Sequence, residues 1–502
     1  MGPAILFSRA QLGIQAPPVT IEVLLSGGLP RFNIVGLAEA AVRESKDRVR
    51  GAIISSGFSF PQERITVSLG PADMKKTGGR FDLPIALGIL AASRFIPHEQ
   101  LDEFEFYGEL GLNGEIRPIP GALPAALKSK EVGHCLFIPV GNSLEARLSS
   151  ATIFAVGHLL EVTSHLNGCE LKEAQRPLRL RKGRADAPDI REVKGQQLAK
   201  RALEIAAAGG HNILFIGPPG TGKSMLARRL NGILPPMSEA EALETAAVCS
   251  ILGREIDLRE WRVRPFRAPH HTASAAALVG GGADPRPGEI SRAHNGVLFL
   301  DELPEFNRRV LESLREPMEA GSIAIARAGR EAEFPARFQL VAAMNPCPCG
   351  YLGDPRSDCA CSAERVRNYR SKISGPLLDR IDIQMSVQRP PKESLRPGTA
   401  SGESSDSVAA RVQAARELQL ERAGLCNAQL EGDNLFEHCR LTPQGWQILE
   451  KAMDRFSMSA RAHQKVLKLA RTIADLKNEE RILPRHVSEA LGLRQLDRSS
   501  AT

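Results

Sequence analysis

Short runs of alternating apolar and polar residues open the chain. Val19 to Leu25 and Phe32 to Gly36 alternate as strands about the turn Gly27-Gly28-Leu29-Pro30. Ala38 to Ser56 changes to a helical period, with Ala41, Val42, Val49 and Ile53 among its apolar positions. Arg64 to Leu69 returns to strand alternation, and Leu83 to Ala92 is apolar enough for a buried helix. These elements predict an α/β domain over residues 1–170. Residues 171–189 follow as a linker carrying Arg176, Arg179, Arg181, Lys182 and Arg184, either a solvated tether or a phosphate contact.

The next change is to continuous apolar runs, the signature of strands buried on both faces. Asn212 to Ile216 is one such run, and Gly217-Pro218-Pro219-Gly220-Thr221-Gly222-Lys223-Ser224 follows it. Met225 to Leu230 then reads as the first turns of a helix. Strand, glycine loop and helix in that order form a phosphate cradle: the glycines turn N–H groups inward and the helix N-terminus adds partial positive charge. Lys223 can reach the terminal phosphates and the Ser224 hydroxyl can ligate Mg2+, so the pattern predicts binding of ATP or a similar triphosphate. Gly296 to Leu300 is a second apolar strand, ending in Asp301 and Glu302. Asp301 is placed to hold the magnesium shell beside Ser224, and Glu302 to orient and deprotonate the attacking water. Phe338 to Asn345 is a third strand with an amide at its end, where Asn345 either senses the γ-phosphate or caps the turn before Pro346.

Two insertions interrupt this series. Arg264 to Thr272 with Leu278 to Gly282 contains adjacent His270 and His271, which as loop histidines suit ordinary hydrogen bonds better than metal. Ser322 to Ala328, the break Gly329-Arg330 and the return from Glu333 to Leu340 predict a hairpin. Arg327 and Arg330 on it offer charge to a DNA backbone, or are simply solvated. Cys347, Cys349, Cys359 and Cys361 supply four thiols in one loop. That ligand count suits tetrahedral zinc, but Cys-x-Cys is tighter than Cys-x-x-Cys, and reduced thiols in a Gly/Pro loop are the competing reading. Residues 391–407 form a second, low-complexity linker, and residues 408–502 are helical in pattern.

Composition narrows this only a little. Over 502 residues the hydrophobic share is 42% and the charged share 25%, ordinary for globular protein. No apolar run reaches membrane-spanning length, and the mostly scattered cysteines suit a reducing cytosol, so a cytoplasmic location is expected. A net charge of +7 permits a nucleic-acid partner without demanding one.

Several of these stretches resemble known families. Residues 190–390 carry the elements of an AAA+ module in order. Val35 to Glu39, Glu44 to Val49, Phe81 to Ala86, Gly108 to Leu110, Pro118 to Pro120 and Phe137 to Pro139 resemble the Lon-related N-terminal domain of magnesium-chelatase-like proteins. The peptidase dyad of that fold is missing: there is no Ser between Thr77 and Leu90 and no Lys between Gly121 and Ala126. The Ala-Pro-His-His insertion, the Gly296 to Glu302 strand, Met344 to Gly350 and the helix around Ser459 to Leu476 extend the resemblance over nearly the whole chain. It implies a multidomain α/β protein: a non-proteolytic Lon-protease-like (ribosomal S5 domain 2-like) domain, a P-loop AAA+ core and a C-terminal helical lid. It also implies that Arg380, in Ser374 to Asp382, is an arginine finger for a neighbouring subunit, against the plainer reading of an ion pair with Asp379 or Asp382. Arg461 matches the lid arginine that contacts nucleotide. The function implied is a homo-hexameric motor on single-stranded and branched DNA, driving branch migration as incoming strands are integrated during natural transformation. A metal-chelatase ATPase subunit remodelling a protein partner, an ATP-dependent peptidase and a non-motor regulatory ATPase are the competing classes.

Overall fold

The computed structural model describes residues 2–99, 101–170, 173, 187–282, 285–327, 330–391 and 402–495. It divides into two compact units. One comprises Met1–Arg181, Ala242–Trp261 and Ala332–Phe334, and the other Lys182–Glu241, Arg262–Glu331 and Pro335–Thr502. The basic stretch Arg176, Arg179, Arg181, Lys182 and Arg184 lies outside the described residues, as do residues 392–401 of the second linker. Among the described residues, no helix is long and apolar enough to cross a membrane.

The first unit is a mixed sheet with helices. Its strands are β1 (Ala4–Arg9), β2 (Pro18–Ser26), β3 (Arg31–Val35), β4 (Arg64–Gly70), β5 (Phe104–Phe106), β6 (Glu109–Leu110), β7 (Ile116–Arg117), β8 (Cys135–Pro139) and β9 (Ile153–Val156). Seven of them run in the order β3-β4-β2-β1-β5-β8-β9, and β6 pairs with β7 apart. β2 is antiparallel to β4, with Ile21 opposite Leu69 and Val23 opposite Val67. All four of those residues are buried, so alternation in the sequence becomes one covered face of the sheet. The helix Asp82–Ala92 packs on β1 and β2 with residues 82–91 all buried, which is why its sequence has no polar face. Where the pattern predicts one helix from Ala38 to Ser56 there are two, Ala40–Arg43 and Ser45–Ser55. At the break the buried Ser45 hydroxyl donates to Val42 O at 2.7 Å, a local bond that competes with the helical ladder. The helix Glu239–Ile251, which the pattern does not predict, brings its C-terminal part into this unit. There Ser250 accepts from Leu123 N through Oγ (3.2 Å) and from Gly121 N through its carbonyl (2.9 Å).

The second unit is built on a parallel sheet. Its strands are β10 (Ile213–Ile216), β11 (Phe266–Arg267), β12 (Gly280–Gly281), β13 (Arg286–Pro287), β14 (Val297–Leu300), β15 (Ser322–Arg327), the two ends of β16 (Arg330–Pro335, whose Ala332–Phe334 counts with the first unit), β17 (Gln339–Met344) and β18 (Ile383–Ser386). Five form the sheet β11-β14-β17-β10-β18, every neighbouring pair parallel. β10, β14 and β17 are buried at every position, as their continuous apolar runs require. β12–β13 and β15–β16 are separate two-stranded pairs. The return strand of the predicted hairpin is displaced: β16 ends at Pro335, which has no N–H to continue a ladder, and Gln339 already belongs to the main sheet. Ala336 N donates to Gly321 O at 2.8 Å and closes the base of the ribbon.

The C-terminus is helical: Ser405–Ala423, Gly432–His438, Pro443–Phe456, Ala460–Asp475 and Pro484–Gly492. The first helix starts inside the stretch read as linker, with Ser404 as its N-cap. Val466, Leu469, Ala470 and Ile473 share one core with Ile213, Phe215, Ile383 and Met385, so these helices and the parallel sheet are covered by the same apolar surface.

Candidate nucleotide site

The glycine loop leaves the sheet between two neighbouring strands. Gly217 N donates to Met344 O at 3.2 Å on one side, and Val387 N donates to Ile216 O at 2.7 Å on the other. A Cβ at Gly217 would lie 2.1 Å from Val387 O, so no other residue fits this exit. Gly220 (φ +74°) and Gly222 (φ +88°) take left-handed conformations that wrap the loop back on itself. Thr221 Oγ1 donates to Pro218 O at 2.9 Å, and Gln196 Nε2 braces the loop from outside through Thr221 O (3.2 Å) and Gln388 O (2.5 Å). Gly222 is the N-cap of the helix Lys223–Leu230, whose first N–H groups face the cradle.

Lys223 is buried, and its amine points into the loop. Nζ donates to Gly217 O (2.6 Å), Pro218 O (3.0 Å) and Asn345 Oδ1 (3.1 Å). Burial pulls its pKa below the ordinary lysine value, against the opposing pull of Asp301 and Glu302. The Ser224 hydroxyl donates to Asp301 Oδ2 at 2.5 Å, and Asp301 Oδ1 accepts from Glu302 N at 2.9 Å. The fold therefore brings Lys223, Ser224, Asp301, Glu302 and Asn345 together from the ends of β10, β14 and β17. A desolvated ammonium enclosed by carbonyls fits a triphosphate, and a hydroxyl–carboxylate pair beside it fits Mg2+.

Glu302 has two features that the sequence does not announce. Its backbone is left-handed (φ +54°), an unusual conformation for a residue with a Cβ, of the kind that gathers at functional sites. Its Oε2 lies 3.2 Å from His271 Nδ1, and the His271 ring meets Phe306 edge-on. The adjacent-histidine loop thus supplies a partner for the carboxylate. Only the pairing of two histidines marked it in the sequence, and nothing there said which one turns inward.

Arg380 finds a partner that its neighbours in sequence do not supply. Arg380 pairs with Glu319 and donates to Pro376 O at 2.6 Å; neither Asp379 nor Asp382 is its ion-pair partner. Asp382 is taken by Asn212 N (3.1 Å), Lys465 (3.2 Å) and His211 (3.5 Å). Arg461 is exposed in the first turn of Ala460–Asp475, and its charge also reaches Glu319. Glu319, at the end of the helix Arg315–Ala320, is a residue sequence reasoning did not find. Arg327 closes β15 and Arg330 opens β16; residues 328–329 between them lie outside the described residues. The four cysteine sulfurs lie within 4.8 Å of one another.

A parallel sheet with a glycine loop at a strand end, a Ser–Asp pair beside it and a helical C-terminal part define a P-loop ATPase fold of the AAA+ type. The family described as magnesium chelatase, subunit ChlI, matches residues 189–395. Subunit ChlI of Mg-chelatase matches residues 21–142, and the ChlI C-terminal part matches 402–494. Competence protein ComM of Haemophilus influenzae is 48% identical over 503 residues, covering 99% of this chain and 98% of its own. The uncharacterized protein YifB of Salmonella typhimurium is 48% identical over 501 residues, with the same coverage. DNA replication licensing factor Mcm2 of Drosophila melanogaster is 27% identical over 212 residues, 39% of this chain and 20% of its own. The chain belongs to the magnesium-chelatase-like family of ComM and YifB.

Proposed function

We propose that this protein is an ATP-driven ring motor on DNA, promoting branch migration while incoming single strands are integrated during natural transformation. ATP hydrolysis rests on one observation: the buried Lys223 amine, Asn345 and the Ser224–Asp301 pair converge on the glycine loop. The Lys223 N–H groups, now on two carbonyls, transfer to phosphate oxygens. Ser224 and Asp301 would hold Mg2+, which when bound would supply positive charge against the phosphates. Glu302 orients the attacking water and accepts its proton, and His271 keeps that carboxylate turned toward the site. Asn345 hydrogen-bonds the γ-phosphate. Arg380, given up by Glu319, neutralises charge in a neighbouring subunit's site, and Arg461 couples the helical lid to nucleotide. A finger acting in trans requires a ring, and a homo-hexamer is the assembly proposed.

DNA as the track is supported by the names of the relatives, a competence protein and a DNA replication licensing factor, and by Arg327 and Arg330 at the adjoining ends of β15 and β16. The first unit is proposed as a Lon-like domain without peptidase activity. Its buried helix Asp82–Ala92 offers no hydroxyl, and the Lys76 amine is spent on Pro71 O. The alternative, an ATPase subunit that remodels a protein partner as in magnesium chelatase, is favoured by the family descriptions themselves. Phosphate release measured without DNA, with single strands and with forked duplexes separates the two. Stimulation by forked or single-stranded DNA, with strand displacement lost in Glu302→Gln, is expected. An active ATPase indifferent to every DNA form and displacing no strand would end the motor reading.

A further inference from the structure

The geometry points to a structural zinc ion held by Cys347, Cys349, Cys359 and Cys361, clipping the loop that carries Asn345 against the phosphate loop. The Sγ separations are 3.4 Å for Cys347–Cys349, 3.7 Å for Cys347–Cys359 and 3.6 Å for Cys349–Cys359. Four thiolates at about 2.3 Å from one tetrahedral ion stand roughly 3.8 Å apart, so three of the sulfurs already stand at that spacing, with Cys361 Sγ within 4.8 Å of each of them. They are far too distant for disulfides, whose S–S bond is about 2.05 Å, and all four are free cysteines. They also stand together around one point, whereas the thiolates of an iron–sulfur cluster spread over several irons.

Backbone amides reach three of the four sulfurs. Backbone N–H groups of Tyr351 and Ala360 donate to Cys349 Sγ, that of Cys361 donates to Cys359 Sγ, and that of Cys349 donates to Cys361 Sγ. Such donors orient and neutralise metal-bound sulfur, as outer-shell hydrogen bonds do in zinc sites generally. The loop also needs a clip. Between β17 and the helix Ala363–Arg370 it has no strand or helix, and beyond Gly350 its residues are half-buried or exposed. Ordering such backbone costs conformational entropy that this little apolar burial does not return. Metal binding supplies that free energy in domains without a core of their own.

What the clip fixes is the nucleotide site. Cys347 follows Asn345 by two residues, and Arg370 Nε donates to Pro346 O between them at 3.2 Å. Gly350 turns in the left-handed region (φ +87°), and a Cβ there would stand 2.8 Å from Pro219 Cδ, so the cysteine loop lies directly on the phosphate loop. One wall therefore joins the four thiols, Pro219 and the amide that accepts from Lys223. This second part rests on the ATP reading of the glycine loop.

The test uses full-length protein purified in reducing buffer without chelator. Elemental analysis is expected to find one zinc per chain, and Cys359→Ser with Cys361→Ser to lose it. Titration with a fluorescent ATP analogue should give an affinity roughly tenfold weaker in that variant, with its circular dichroism kept. Wild-type protein stripped by a strong chelator provides the same comparison if the variant does not fold, and added zinc should restore affinity. A folded wild-type chain free of zinc overturns the site. Zinc that can be removed with no change in nucleotide affinity overturns the clip. A zinc-loaded chain that binds no ATP analogue overturns the nucleotide reading instead and leaves the metal site standing.

Discussion

Replacing Lys223 by Ala should separate nucleotide binding from folding, because the amine serves the two differently. In the chain alone its N–H groups are taken by Gly217 O, Pro218 O and Asn345 Oδ1, in a loop that leaves the residue 8% exposed. Burial disfavours its charge, as the lowered pKa records. Alanine relieves that penalty but takes the donor from Gly217 O and Asn345 Oδ1, while Pro218 O keeps Thr221 Oγ1, a loss of about 1–3 kcal/mol for each buried group left short. The effects oppose each other, so the melting temperature is expected to move by only a few degrees. With nucleotide bound, the same amine makes charge-assisted bonds to phosphate oxygens, worth about 1.5–3 kcal/mol each. Losing two at the lower end is about 3 kcal/mol, which weakens binding roughly 150-fold. Equilibrium titration with a fluorescent ATP analogue measures the first quantity and thermal unfolding the second. A folded variant with wild-type affinity would refute the placing of phosphate against this amine. A variant that melts far below the wild type would refute the opposed-terms argument for folding.

Glu302→Gln is expected to bind the analogue as the wild type does while phosphate release falls at least about 100-fold, the scale of general-base catalysis; near-normal release would remove the base role. His271→Ala removes the partner of that carboxylate without removing a proposed phosphate or magnesium contact, so it should lower kcat roughly tenfold with KM unchanged. A change in KM alone would assign His271 to binding. Acid should weaken the second unit before its carboxylates titrate. Burial lowers the pKa of His211, against the pull of Asp382, and burial likewise lowers His463 and His486. Folding therefore holds these rings neutral while the unfolded chain takes up protons below its own value of 6.5, and stability falls as pH drops through that value toward the folded ones. For His211 alone the steepest loss is about 1.4 kcal/mol per pH unit. Trp446 fluorescence in a Trp261→Phe background, followed through unfolding at pH 7.5, 6.5 and 5.5, reads this unit; a stability that holds constant or rises with acid contradicts the burial argument.

The parts of this protein legible in its sequence are those fixed by local periodicity or by a contiguous motif. β10 and β14, and β17 from Leu340 to Met344, announce themselves because a parallel strand covered on both faces is apolar along its run. The glycine loop is legible because backbone geometry between one strand and one helix dictates its residues in order. β18 is harder: Ile383-Gln384-Met385-Ser386 alternates as a strand with one open face would, yet Gln384 is buried with Ile383 and Met385, so the pattern does not announce a strand covered on both faces. The helix Glu239–Ile251 is Ala-rich, and its buried residues spread around it without forming a clear stripe.

Side-chain partners across long separations were not legible, and Arg380 shows why. Sequence proximity offers it Asp379 and Asp382, but β18 begins at Ile383, and the bonds of Asp382 to Asn212 N, Lys465 and His211 turn that carboxylate toward the sheet. Arg380 is left facing Glu319, which the helix Arg315–Ala320 delivers from far upstream. The same limit governs Glu302 and His271: each lies on a recognisable stretch, yet only the placing of β11 beside β14 brings their loops together. The cysteines stand between these cases. Four ligands could be counted, but the tight Cys-x-Cys spacing argued against a shared ion. The fold answers that objection by closing the loop between the pairs until the sulfurs converge, and it is this closure, a tertiary event, that no spacing rule contains.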